Sequence, residues 1–208
     1  NNTGEKAVHI QLLDGLPRVL PYGLQLGQYK DMGNLFKSWA QVQEAENGAR
    51  QYNLRSSTGD SERVSEVAGS FFYAAKASGQ PLGTAYDPAL VFGADAPLLL
   101  PQAFINRGLA DINKAIQHGE NRLACAFAMA DITLKPGESY ALDSLIGFTP
   151  STELLNQLMP RFLQNGYADK KREESARVVS SMLEAVNTAT ANQQFDAYIA
   201  QCYLDNLL

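Results

Sequence analysis

Leu123-Ala124-Cys125-Ala126-Phe127-Ala128-Met129-Ala130-Asp131-Ile132-Thr133-Leu134 is the stretch whose reading decides the fold class of this chain. Leu123, Cys125, Phe127 and Met129 alternate with Ala124, Ala126, Ala128 and Ala130, and a period of two is the signature of a strand. One face is bulky. The other is small enough for a second layer to approach closely, so the segment reads as a strand of a layered sheet. Lys135-Pro136-Gly137-Glu138 then turns the chain, and Tyr140, Leu142 and Leu145 read as the return strand of a hairpin.

Working outward, Lys6 to Leu13 is a strand candidate closed by Asp14-Gly15, with Pro17 and Pro21 beyond it. Ala49 to Ser56 and Val64 to Ala77 form two more, joined by the polar Ser57-Thr58-Gly59-Asp60-Ser61, with Phe71, Phe72 and Tyr73 supplying β-forming bulk. Asn34 to Glu46 departs from this pattern: Leu35, Phe36, Trp39 and Val42 recur at helical spacing behind Asn34 as a cap, which predicts a short helix ending before Asn47-Gly48.

After residue 148 the apolar period changes to near 3.6. Thr149 is the expected N-cap and Pro150 the first helical residue, ahead of a stripe of Leu154, Leu155, Leu158 and Met159 that Pro160 kinks or ends. Asn165-Gly166 closes that segment, and a longer helix is expected from Asp169, apolar at Val178, Val179, Met182, Leu183 and Val186 and charged on its other face. Asn192 caps a last helix whose stripe is Phe195, Tyr198, Ile199, Cys202 and Tyr203. The expected fold class is therefore mainly β with C-terminal α: a β-sandwich over residues 1–148, then a helical segment over 149–208.

A chain of 208 residues with 45% hydrophobic and 19% charged residues can bury a sizeable core. Net charge is −5, and the basic run Lys170-Lys171-Arg172 is followed at once by Glu173 and Glu174, so no nucleic-acid partner is expected. Ala94 to Phe104, broken by Asp95, Pro97 and Pro101, falls short of the roughly 20 residues a membrane helix needs. No membrane partner is expected. Asn1 to Lys6 does not read as a leader, which suggests a cytoplasmic location. Cys125 and Cys202, far apart and in apolar surroundings, are expected to be buried reduced thiols.

Leu12-Leu13-Asp14-Gly15-Leu16-Pro17-Arg18-Val19-Leu20-Pro21-Tyr22-Gly23 resembles a segment of the glycoside phosphorylases related to cellobiose phosphorylase, most of all the 1,2-β-oligoglucan phosphorylases. Leu54-Arg55-Ser56-Ser57, followed by Asp60, Arg63 and Glu66, is similar to the strand-loop-strand that comes next in that group. Phe195-Asp196-Ala197-Tyr198 and Tyr203-Leu204-Asp205-Asn206-Leu207-Leu208 resemble the helix that runs into an Arg-Gly-Gly turn there. The resemblance implies a galactose-mutarotase-like β-supersandwich, incomplete at its N-terminal side, with linker helices that lead to an absent (α/α) barrel. It further implies a β-glucan oligosaccharide, the barrel and a second copy in a homodimer as partners. Inorganic phosphate is then the co-substrate of the full enzyme, with no cofactor.

Inverting phosphorolysis needs a carboxylic acid beside the leaving oxygen, with phosphate attacking from the opposite face. In the family the resemblance points to, that acid lies in the barrel, so no catalytic residue is expected in this chain. Asp60, Glu62 and Glu66 surround a Ser- and Gly-rich loop, where carboxylates satisfy turns or pair with Arg63. His9 and His118 have no neighbouring Cys or His and suggest no metal site. No Gly-x-Ser-x-Gly elbow occurs, and Gly23-Leu24-Gln25-Leu26-Gly27 lacks the third glycine of a dinucleotide fingerprint and reads as a loop.

Sugar binding asks for aromatic faces beside convergent polar groups. Tyr22, Tyr29 and Trp39, near Arg18, Gln28 and Asn34, are the candidate carbohydrate-binding residues, with Trp39 as a core residue of its helix the competing reading. A free-standing carbohydrate-binding sandwich and an aldose mutarotase are the alternative functions. The second wants a histidine and a carboxylate facing one sugar.

Overall fold

The computed structural model describes residues 1–20, 26–55, 67–186 and 188–207, without the side chains of Leu26, Gln28, Tyr29, Asn47, Val67 and Ala68. Two compact units result, Asn1–Asn165 and Gly166–Leu208.

The first unit is built on two antiparallel sheets. One holds β1 (Val8–Leu16), β6 (Ala126–Leu134) and β5 (Gly83–Ala85) in the order β1-β6-β5; the other holds β2 (Ala40–Glu44), β3 (Arg50–Leu54), β4 (Val67–Lys76) and β7 (Leu142–Thr149) in the order β2-β3-β4-β7. The alternation in β6 does what its side-chain sizes require. Ala124, Ala126 and Ala128 meet Tyr52, Phe72 and Ala74 of the other sheet, while Cys125, Phe127 and Met129 face the helices α2 (Pro88–Phe92) and α3 (Gln102–Lys114) through Val91, Phe92, Leu109 and Ile112. On the far side of the second sheet, Phe71, Tyr73 and Ala75 pack on Leu155 and Met159 of α4 (Thr152–Phe162). The layers thus run helix, sheet, sheet, helix.

Among the described residues there are six helices, so the chain is mixed α/β rather than mainly β with helices only at its end. Three of the six lie before residue 148. Asp87 caps α2 by accepting from Ala89 N, with Pro88 at the first position, which is an ordinary helix start that the strand-rich reading of this region passed over. The expected helix over 34–46 is displaced: α1 spans Leu26–Trp39, kinked at Met32, and Ala40–Glu44 leaves it to pair with β3 from Ala40↔Leu54 to Glu44↔Arg50. Ladder bonds and the burial of Ala40 beside Leu54 and Leu123 outweigh the helical spacing of Val42.

The expected 123–145 hairpin is also corrected, because β6 and β7 belong to different sheets. β7 pairs with β4 over the whole run from Gly69↔Thr149 to Lys76↔Leu142. The link between them is held by Asn2, whose amide donates to Glu138 O (2.8 Å), whose carbonyl accepts from Gly137 N (2.8 Å), and whose Nδ2 donates to Lys6 O and Leu134 O. The N-cap of α4 is Ser151, not Thr149; Thr149 ends β7, buried against Gln51 Nε2. Since α4 is buried on the sheet, it belongs to the first unit.

In the second unit, α5 (Tyr167–Glu184) carries the ion pairs Asp169–Arg172 and Lys171–Glu174, and none of its residues is buried. Asn192 caps α6 (Gln193–Leu207), its Oδ1 accepting from Gln194 N (3.0 Å) and Phe195 N (3.2 Å). Among the described residues no helix is long and apolar enough to cross a membrane.

Both cysteines are free. Cys125 is fully buried, its Sγ against Ala85 O at 3.6 Å, and burial pushes its thiol well above the usual range. The thiolate is the reactive form, so alkylation of the native chain should modify Cys202 first and reach Cys125 only on unfolding. Mass mapping over a time course checks the order.

Candidate functional site

Of the three aromatic candidates only the side chain of Trp39 is described; Tyr22 lies outside the described residues, as do Asp60, Glu62, Arg63 and Glu66, and Tyr29 is described by its backbone alone. Trp39 sits at the end of α1, half-buried, edge-on to Phe36 with centroids 6.2 Å apart and against the core of Leu54 and Leu123. Its ring is occupied in packing. His9 is exposed on β1 and bonds the Asp131 carboxylate across the ladder, with Gln11 Nε2 donating to the other Asp131 oxygen at 3.3 Å.

One concave, polar surface of the first unit lies on α1, lined by Lys30, Asp31, Asn34 and Lys37, and another is formed by residues 117–122, between α3 and β6. This segment is irregular chain held from four sides. Gln117 Oε1 accepts from Tyr86 N (2.7 Å) and Asp87 N (3.3 Å), and its Nε2 donates to Thr84 O (3.0 Å). Gly119 O accepts from Val42 N, and Asn121 N donates to Ala40 O. Arg55 Nη2 donates to Asn121 Oδ1 (2.5 Å) and to Ser38 O (2.8 Å). Asn121 is a non-glycine residue at φ 58°, a left-handed conformation that asparagine tolerates better than most residues.

Asp87 is the hub. The residue is 1% exposed, and its carboxylate accepts from Ala89 N (3.0 Å), His118 N (3.0 Å) and Arg122 Nη1 (2.9 Å). A buried carboxylate needs such partners, and in return it fixes the Arg122 guanidinium in one orientation. Gly119 is required by space: a Cβ there would lie 2.9 Å from Val42 Cβ and 3.2 Å from Tyr86 Cε2.

Val42 and residues 117–122 line a cleft of about 520 Å3. A second cleft of about 450 Å3, shared at Asn121 and Arg122, continues toward Pro88, Gly93 and Leu98. His118 and Glu120 line the first cleft together. Charges cancel locally, since Arg122 is paired with Asp87 and Arg55 lies 3.8 Å from Glu120. Such an arrangement offers mixed donors and acceptors without net charge.

Sequence reading passed over this region because its residues are joined through long-range bonds. The available signal was local: Asp87-Pro88 as a helix start and the polar run Gln117 to Arg122 leading directly into the clearest strand. No group of His, Cys, Asp and Glu among the described residues is arranged to hold a metal ion. No family model matches this sequence, and no match is found among curated proteins.

Proposed function

We propose that this chain is the β-layer and linker portion of a carbohydrate-active enzyme, an inverting phosphorylase of β-glucans of the 1,2-β-oligoglucan kind. In this reading the two packed sheets are the core of a larger β-supersandwich. The chain supports an (α/α) barrel that holds the proton donor, and shapes the substrate entrance or a dimer contact. The resemblance of residues 12–23, 54–66 and 195–208 supplies the substrate class.

One structural observation carries the idea of a part needing further protein. Ile10 pairs with Ile132 on the face of β6 that carries Ala126 and Ala128, and Ile146 pairs with Phe72, so both side chains lie on the faces turned toward the inter-sheet layer. Ile10 is nevertheless 40% and Ile146 55% exposed, and among the described residues β1 and β7 are edge strands. Inner-face apolar residues at open edges fit a sandwich with strands still to be added.

The purified chain, given a 1,2-β-linked glucan oligosaccharide and phosphate, should release no glucose 1-phosphate. Release that disappears on mutating Asp60 or Glu66 would place catalysis here and sink the reading. The stripe of α6 tests the same idea from the other end, because Phe195 and Tyr198 are 49% and 64% exposed although burying each is worth roughly 1.5–3 kcal/mol. Truncation after Thr190 should reduce self-association and leave the melting of the first unit almost unchanged. Unfolding of that unit on truncation would mean that the last helix belongs to its core and the chain is a self-contained module.

The polar cleft at 117–122 favours a second reading, a free-standing carbohydrate-binding sandwich. Tight glucan binding by a soluble, monomeric chain would select it over the first.

A further inference from the structure

The cleft bounded by Val42 and residues 117–122 has a chemistry that narrows its ligand. An anion site would present an unbalanced positive charge, yet Arg122 is neutralised by the buried Asp87 and Arg55 faces Glu120. A cation site would present converging carboxylates, yet the Asp87 oxygens are taken by Ala89 N, His118 N and Arg122. What remains is a set of neutral-ligand contacts. Arg122 keeps its Nη2 and Nε donors beyond the one given to Asp87, and Asn121, with Oδ1 accepting from Arg55, keeps its amide NH2. Glu120 is a carboxylate acceptor and His118 carries one ring acceptor when neutral. Both line the same cleft. Donors beside acceptors, on a backbone held by bonds to Asp87, Val42 and Ala40, suit vicinal hydroxyls, each of which gives and takes a hydrogen bond.

We propose that this cleft is a saccharide-binding site for an uncharged sugar, with Asn121, Arg122, Glu120 and His118 as the contacting residues. The second cleft, which shares Asn121 and Arg122 in its lining, receives the adjoining sugar ring on the less polar wall of Pro88, Gly93 and Leu98. The proposal rests on the carbohydrate reading above, but not on the phosphorylase assignment within it.

Titration of the 15N-labelled chain with a neutral β-linked glucose disaccharide to millimolar concentration tests it, with inorganic sulfate as the anionic probe. The amides of Gly119, Asn121 and Arg122 should shift with the disaccharide and stay still with sulfate. The double variant H118A/E120Q, which changes two exposed side chains, should weaken binding about tenfold, equivalent to about 1.4 kcal/mol, with the melting midpoint unchanged. Sulfate-induced shifts at these amides would overturn the ligand class. Disaccharide shifts confined to α1 around Trp39 would overturn the site and leave the carbohydrate reading standing. No shift anywhere in the chain would overturn the site, while the glucose 1-phosphate assay still decides the enzyme reading separately.

Discussion

Phe72→Ala should destabilise the first unit by about 4 kcal/mol and lower its melting midpoint by roughly 8 to 16 °C. Phe72 is 1% exposed and reaches across the inter-sheet layer, where its neighbours on β6 are Ala126 and Ala128. Cutting it back to alanine sets small residues against small residues. The alanines that face it cannot fill the gap, so much of the cavity persists and both the transfer and the cavity costs apply. The same geometry makes Ala128→Leu harmful in the opposite sense, since extra methyl groups have no room beneath Phe72; about 1–3 kcal/mol is expected. The double variant Phe72→Ala with Ala128→Leu restores volume across the layer and should be less destabilised than the sum of the singles. Strict additivity in calorimetry would show that the alanine face of β6 does not meet Phe72.

Asp87→Ala should cost about 3 kcal/mol, the loss of a helix cap and of charge-assisted bonds to His118 N and Arg122. The damage should also be localised. Hydrogen exchange of the His118 amide, which Asp87 Oδ2 holds, should accelerate ahead of the β6 ladder. Asp87→Asn keeps an oxygen for Ala89 N and so keeps the cap, but it loses the charge opposite Arg122 and sets an amide NH2 against His118 N in place of Oδ2, so it should cost less than Asp87→Ala only by the worth of the cap. Equal losses for the two variants would mean that the cap contributes nothing and that Asp87 acts only through its carboxylate bonds to His118 N and Arg122. The contrast is read by thermal melting and exchange mass spectrometry.

Several elements were legible in the residues alone because their causes are local. The alternation across 123–134 is a property of successive side chains, and β6 follows it from Ala126 onward with the alanine face inward, as their sizes require. Asn192 stands immediately before its stripe and caps α6 through its own side chain. Pro160, with two residues left in α4, and Gly166 at φ 74° mark their boundaries for reasons of backbone geometry.

What only the tertiary structure decided is partnership. The composition of β7 is compatible with either sheet, and its place beside β4 is set by an eight-pair register and by the Asn2 clasp on the turn before it. Ala40–Glu44 carries a helical spacing, but ladder pairing with β3 claims it. The cleft at 117–122 depends on Asp87, Val42, Ala40 and Arg55, residues 31 to 81 positions away from their partners, and no window along the chain contains them together. A side chain's size and periodicity are written into its own stretch of sequence. Which distant backbone satisfies its hydrogen bonds is settled only when the layers close.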